Sequence, residues 1–199
     1  MIDMPKKNTR NTRGRIISAA WKLFYENGFE DTTIEDIIYE SQTSRGSFYH
    51  YFPSKNALLG TLAYLFDEKY DELKSRLTDD QPVLDQLIFL NHELFAMIED
   101  SISRDLLASL LSTQLLAQGE KQLLDHNRTY FKLLKSIITR GRNKGELRSD
   151  LSTQEITKLY ALWERAMLYE WCLSGGDYSL TGFTDHMTPV FLKTITGCS

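Results

Sequence analysis

An all-α protein is predicted by three features of the sequence. Apolar residues recur at three- and four-residue spacing along most of its length, no β-branched alternation of strand type follows Pro82, and only four prolines occur in 199 residues. Breaks in the pattern divide the chain into an N-terminal three-helix domain with a helix-turn-helix over residues 1–53, and a connector helix with a C-terminal helical bundle over residues 54–199.

The chain starts with a basic arm, in which Lys6, Lys7, Arg10, Arg13 and Arg15 stand against Asp3 alone. Such an arm either neutralises phosphates or is a merely solubilising terminus, and both readings stand. A first helix is predicted over Arg13 to Asn27 with Ile16, Ile17, Ala20, Trp21 and Phe24 as its apolar stripe, ended by Gly28 with Phe29 folding back on Phe24. Thr32 and Thr33 precede Glu35 and Asp36 by three residues, the spacing of a capping box, so a short second helix with Ile34, Ile37 and Ile38 on one face begins there. Ser41, Gln42 and Thr43 supply a polar turn, and Phe48 and Phe52 at i and i+4 define a third helix. Pro53 and Ser54 open a connector helix that carries Leu58, Leu59, Leu62, Leu65, Phe66, Leu73 and Leu77 on one stripe. Five further helices are expected over 82–99, 103–118, 120–144, 153–174 and 180–194, with Gly175-Gly176-Asp177 as the clearest loop.

Two short helices about a tight turn form a helix-turn-helix. The outward face of the second carries Arg45, Ser47, Tyr49 and His50, leaves Gly46 free for close approach, and has no carboxylate at all. Arginine grips the O6 and N7 edge of guanine through two hydrogen bonds, serine bonds either base-pair type, and tyrosine and histidine reach phosphates. Any amphipathic helix has a polar face, but one without acids in an acidic chain favours DNA. Thr33 and Lys55 flank this surface and are candidates for holding phosphates, and Ser44 and Gly46 complete the candidate DNA-binding set.

These residues resemble the DNA-binding domain of the tetracycline-repressor (TetR/AcrR) family of bacterial regulators. The match runs Thr33-Ile34-x-x-Ile37, then Ser44-Arg45-Gly46-Ser47-Phe48-Tyr49, then Phe52-x-Ser54-Lys55-x-x-Leu58. In the turn, Gln42 and Thr43 stand where the family usually has Gly and then Val or Ile, and Asn56 replaces an acid. The resemblance implies a ligand-responsive repressor, dimeric on a palindromic double-stranded operator, with a cavity in the C-terminal domain for an apolar or cationic small molecule. It implies that ligand shifts the helix starting at Ser54. A TetR-type activator, or a helical ligand-binding or scaffold protein that has lost DNA binding, remains an alternative.

Composition bounds the rest. A net charge of −4 and a pI near 5.6 argue against a generally basic, nonspecific nucleic-acid binder. With no apolar run of membrane-spanning length and no secretory signal, the expected place is the cytoplasm without membrane association. Cys172 and Cys198 have no metal-binding spacing, His50, His92, His126 and His186 are dispersed, and no nucleophile elbow, Walker loop or dinucleotide motif occurs. No catalytic residue, metal or cofactor is therefore expected, and Asp125-His126 reads as a solvated face. In the second domain the aromatic residues are core or pocket wall; Phe66, Phe89, His92, Tyr130, Phe131 and Trp163 are the candidate ligand contacts. Long apolar stripes on the last two helices, from Ile156, Leu159, Tyr160, Trp163, Met167 and Trp171 to Phe183, Met187, Val190, Phe191 and Ile195, predict a homodimer interface.

Overall fold

The computed structural model describes residues 12–116 and 121–197. Among them the α-helices are α1 (Thr12–Asn27), α2 (Ile34–Ser41), α3 (Arg45–Tyr51), α4 (Lys55–Leu59), α5 (Leu62–Lys74), α6 (Val83–Ser101), α7 (Arg104–Leu116), α8 (Thr129–Asn143), α9 (Thr153–Leu173) and α10 (Leu180–Leu192). A 3-10 turn covers Gln122–Leu124, and Leu147 and Thr196 form an isolated antiparallel bridge. The chain divides into two compact units, one from the described residues of Met1–Leu65 and Ser101–Leu123, the other from those of Phe66–Asp100 and Leu124–Ser199.

In the first unit α1 buries Ile16, Ala20, Trp21 and Phe24. Its end is the expected one: Gly28 takes a φ of +87°, its N–H donates to the Phe24 carbonyl, and the Phe29 ring meets Phe24 edge-on at 5.0 Å. Ile37 of α2 and Phe48 of α3 are fully buried, with Phe52 almost so. The connector is not one helix. It breaks at Gly60–Thr61, where the amides of Thr61, Ala63 and Tyr64 each bond three residues back, a tighter winding than the α-helix. Thr61 holds the break: its hydroxyl donates to the Leu58 carbonyl at 2.6 Å and accepts the Trp21 indole N–H at 2.8 Å. Gly60 lets the Gln122 amide lie where a Cβ would stand. This bond to α1, and the packing of α4 on α7, carry the unit past the sequence boundary at residue 53.

The second unit holds the rest of α5 with α6, α8, α9 and α10. The helix expected over 120–144 begins only at Thr129. The Asp125 carboxylate accepts the Asn127 N–H at 2.8 Å and its carbonyl accepts that of Arg128, a turn that competes with the helix. Arg128 cannot cap α8 itself. Its guanidinium instead pairs with Asp67 of α5 at 2.9 Å, and Asp67 accepts the Tyr130 N–H. Ser152 and Glu155 form a capping box on α9, and Ser179 with the Glu99 carboxylate satisfies the first amides of α10. Asp125 and His126 are exposed, as expected.

Gly141 of α8 sits where an added Cβ would come within 2.9 Å of Val83 and 3.0 Å of Leu147. Alanine gains about 1 kcal/mol of helix propensity over glycine, whereas overpacking costs about 1–3 kcal/mol. Gly141→Ala is therefore expected to lower the melting temperature followed by circular dichroism; an unchanged or higher value would mean that Val83 and Leu147 give way.

Candidate functional site

The two short helices of the first unit are each held at the N-terminal end by a capping side chain and closed at the C-terminal end by backbone hydrogen bonds. The Thr33 hydroxyl accepts the Asp36 N–H at 3.1 Å, while the Asp36 carboxylate accepts the Thr33 N–H at 2.9 Å and its hydroxyl at 2.6 Å. These bonds from Thr33 hold the Asp36 carboxyl below its ordinary range. The turn closes on Gln42 in the left-handed conformation, φ 51° and ψ 45°, and the Thr43 N–H reaches back to the Ile38 carbonyl. Ser44 then caps α3, accepting the Ser47 N–H at 3.1 Å and pairing with the Ser47 hydroxyl at 2.9 Å.

With Phe48 and Phe52 buried, α3 turns Arg45, Gly46, Tyr49 and His50 to solvent and leaves Ser47 half-buried beside them. A Cβ on Gly46 would meet nothing nearer than the Ser44 hydroxyl at 3.9 Å, so its outer side is open. One expectation is corrected. The recognition face is not free of carboxylate, because Glu35 of α2 reaches Arg45 at 3.3 Å while the guanidinium lies 5.9 Å from the Tyr49 ring centre. Both partners are well exposed, so the pair is worth less than about 1 kcal/mol and is readily exchanged for a nucleic-acid ligand.

Lys55 is a second correction. Its ammonium donates to the carbonyls of Phe29, Glu30 and Thr32 at 2.6, 3.1 and 2.9 Å, and stands 4.4 Å from the Phe29 ring centre. All three of its donors are engaged within the unit. It fastens the loop between α1 and α2 to the start of α4 and has no donor left for a phosphate. Of the basic arm, Lys6, Lys7 and Arg10 lie outside the described residues. Arg13 lies over the rings of Phe52 and Tyr64, and Arg15 donates to the Gln42 carbonyl at 3.4 Å.

In the second unit the candidate ligand contacts have unlike surroundings. Phe66, Tyr130 and Phe131 are buried. Phe89 lies under the Arg76 guanidinium, Trp163 stacks on Phe191 at 4.7 Å, and His92 is exposed and bonds Asp185 at 2.8 Å. An apolar cleft of about 180 Å³ belongs instead to the first unit, with Trp21, Leu62, Leu65, Ile102 and Leu106 in its walls.

What the sequence reading missed is Glu164, 4% exposed in the interior of the second unit. Its carboxylate accepts the Tyr130 hydroxyl at 2.6 Å and the Asn91 amide at 3.1 Å; the Asn91 carbonyl in turn accepts the Thr188 hydroxyl at 2.9 Å. Burial pushes the Glu164 carboxyl up, against the pull of these hydrogen bonds, and burial beside its charge pushes Tyr70, Tyr130 and Tyr160 well up. A signal existed: Ile156, Tyr160, Glu164 and Leu168 repeat every four residues, so Glu164 occupies an apolar-stripe position.

Residues 16–62 match the family model of bacterial regulatory proteins of the tetR family. The HTH-type transcriptional regulator YvdT of Bacillus subtilis is 36% identical over 97 residues, covering 48% of this chain and 50% of that protein. CymR of Pseudomonas putida is 29% identical over 133 residues, covering 62% and 66%. The chain thus spans between half and two thirds of these relatives. In overall fold it is similar to FadR of Thermus thermophilus, a TetR-family repressor solved with lauroyl-CoA, at a TM-score of 0.69 and 24% identity over 90% of this chain and 93% of that one.

Two outcomes test these geometries. Lys55→Met is expected to destabilise the protein by about 1–3 kcal/mol, through carbonyls left without their donor, and to leave the salt dependence of DNA binding unchanged; a shallower salt slope without loss of stability would restore a phosphate contact. Because the folded-state pKa of Glu164 is raised, the stability it contributes is present below its unfolded value and lost as pH rises through the folded one. The melting temperature of Glu164→Gln relative to the native protein is therefore expected to climb with pH above the ordinary carboxylate range, and a pH-independent difference would contradict the burial argument.

Proposed function

The chain belongs to the tetR family of bacterial regulatory proteins through residues 16–62, and from that premise we propose that it is a transcriptional repressor rather than an enzyme. It binds a palindromic operator on cytoplasmic double-stranded DNA as a homodimer and is released by a small-molecule ligand. The observation that carries the reading is the two-faced α3: Phe48 buried, Arg45, Tyr49 and His50 exposed, and both helices of the motif capped. Arg45 exchanges Glu35 for a guanine edge, Ser47 bonds a neighbouring base, and Tyr49 and His50 reach the backbone. Gly46 admits close approach, while Thr33 and Ser44 offer their helix starts to phosphates. A chain that had lost DNA binding would have no need of the turn geometry that Gln42 adopts without glycine.

Dimerisation is assigned to α9 and α10. Ile156, Tyr160, Trp171 and Ile195 are buried within the chain's own unit. Leu162, Leu173, Phe183 and Val190 remain at 47, 68, 40 and 50% exposure and form the apolar remainder of these helices. Two-fold pairing through them would set two recognition helices about 34 Å apart, one turn of DNA. The ligand site belongs to residues 54–199, with Phe66, Phe89, His92, Tyr130, Phe131 and Trp163 as proposed contacts. FadR of Bacillus subtilis was solved with stearoyl-CoA, which makes a ligand-responsive second domain a natural reading here. A ligand releases DNA only by as much as it prefers the DNA-free state, and operator DNA must weaken its binding by the same factor.

Arg45→Ala is expected to cost about 1–3 kcal/mol of operator affinity and to relax preference at one base pair, read by gel shift with the DNA upstream of the protein's own gene. Unchanged binding at moderate salt would remove the recognition face. Light scattering at micromolar concentration is expected to return twice the 23.1 kDa chain mass, and a monomer would remove the dimer.

A further inference from the structure

Glu164 is a buried acid for which no basic side chain is an ion-pair partner among the described residues. The basic side chain next to it in sequence, Arg165, is half-buried on another side of the same helix. Taking a carboxylate out of water costs several kcal/mol, and hydrogen bonds from Tyr130 and Asn91 recover part of that. A core that needed only packing would have kept the apolar residue that the stripe calls for at this position.

The surroundings are as selective as the acid. Tyr70 from α5, Tyr130 from α8 and Tyr160 from α9 stand around it, with the Tyr70 and Tyr130 rings 5.0 Å apart. Tyr130 and Tyr160 spend their hydroxyl protons on Glu164 and on the Leu87 carbonyl. The Tyr70 hydroxyl, 1% exposed, has no partner, and an unsatisfied buried hydroxyl calls for an explanation. Three phenol rings, a carboxylate and an unused hydroxyl together suit an organic ammonium ion, held by charge and by cation–π attraction, with a polar group to spare.

We propose that the effector of this protein is a cationic organic amine whose ammonium group is received by Glu164 among Tyr70, Tyr130 and Tyr160. This rests on the ligand-responsive reading above and narrows it. The site does not suit an acyl thioester of coenzyme A, of the kind solved with the FadR proteins, whose phosphates Glu164 would repel. Tyr70 makes the link to regulation. It lies about two turns beyond Leu62 on α5, the helix that runs from the Thr61 break into the second unit. A ligand that draws the Tyr70 hydroxyl toward itself acts directly on that helix.

The test compares charged probes with neutral twins of the same shape. A series of alkyl- and arylalkyl-trimethylammonium salts, from choline to benzyltrimethylammonium, is set against the corresponding tert-butyl compounds. Thermal shift and calorimetry are run on the full chain and on Glu164→Gln. At least one cation is expected to bind at least tenfold tighter than its neutral twin, and Glu164→Gln, which keeps the shape and removes the charge, to erase that preference while still melting cooperatively. Tyr70→Phe provides a second variant, expected to weaken hydroxyl-bearing probes such as choline several-fold and to leave those without a hydroxyl unchanged. Equal binding of cation and twin, a preference that survives Glu164→Gln, or no binding by any cation overturns the proposal. Release of operator DNA by a neutral or anionic molecule would sink it as well, yet leave the ligand-responsive reading standing, so the two fail separately.

Discussion

A helix of seven residues is too short to persist in water by itself, because the cost of its first turn is never recovered over so few hydrogen bonds. The first unit is organised by this constraint, since α3 must hold its outer face still and has only Arg45–Tyr51 with which to do it. Stability comes from outside the helix. Ser44 satisfies its first amides, Phe48 anchors it in the core beside α1 and α2, and the left-handed Gln42 sets the angle at which α2 hands over to it. Lys55 belongs to the same support. By gathering three carbonyls it ties the chain entering α2 to the chain leaving α3, so the motif is closed at its base.

The second unit answers a different demand. Two of its helix starts are satisfied by carboxylates borrowed from other helices, Asp67 for α8 and Glu99 for α10, which ties neighbouring helices together through backbone amides. A buried acid at its centre is the exception to this economy. Glu164 caps no helix and pairs with no described base, so its presence is a cost to folding that a binding role would offset.

Much of the first unit was legible because its signals are local. A capping box, a polar turn and a pair of phenylalanines four residues apart each act over one or two turns of chain, and each appears where the spacing put it. Lys55 was misread because its partners are carbonyls of Phe29, Glu30 and Thr32, more than twenty residues away, and a backbone acceptor leaves no mark in the side-chain pattern. Glu35 was missed in the recognition face for a related reason: it belongs to α2 and arrives by tertiary packing. The break at Gly60–Thr61 was hidden by a continuous apolar stripe, which reports a buried face and is insensitive to one turn wound more tightly. Glu164 alone was visible in principle, as a charge at a stripe position.

If α3 reads DNA from a two-fold dimer, the sequence it prefers must carry that symmetry. Selection of bound fragments from a random DNA library, sequenced after several rounds, tests this without any assumption about the genes involved. The account predicts enrichment of an inverted repeat whose half-sites are centred about one helical turn apart, ~34 Å, or a little more. Recovery of no common sequence, or of a single unrepeated half-site, would contradict it.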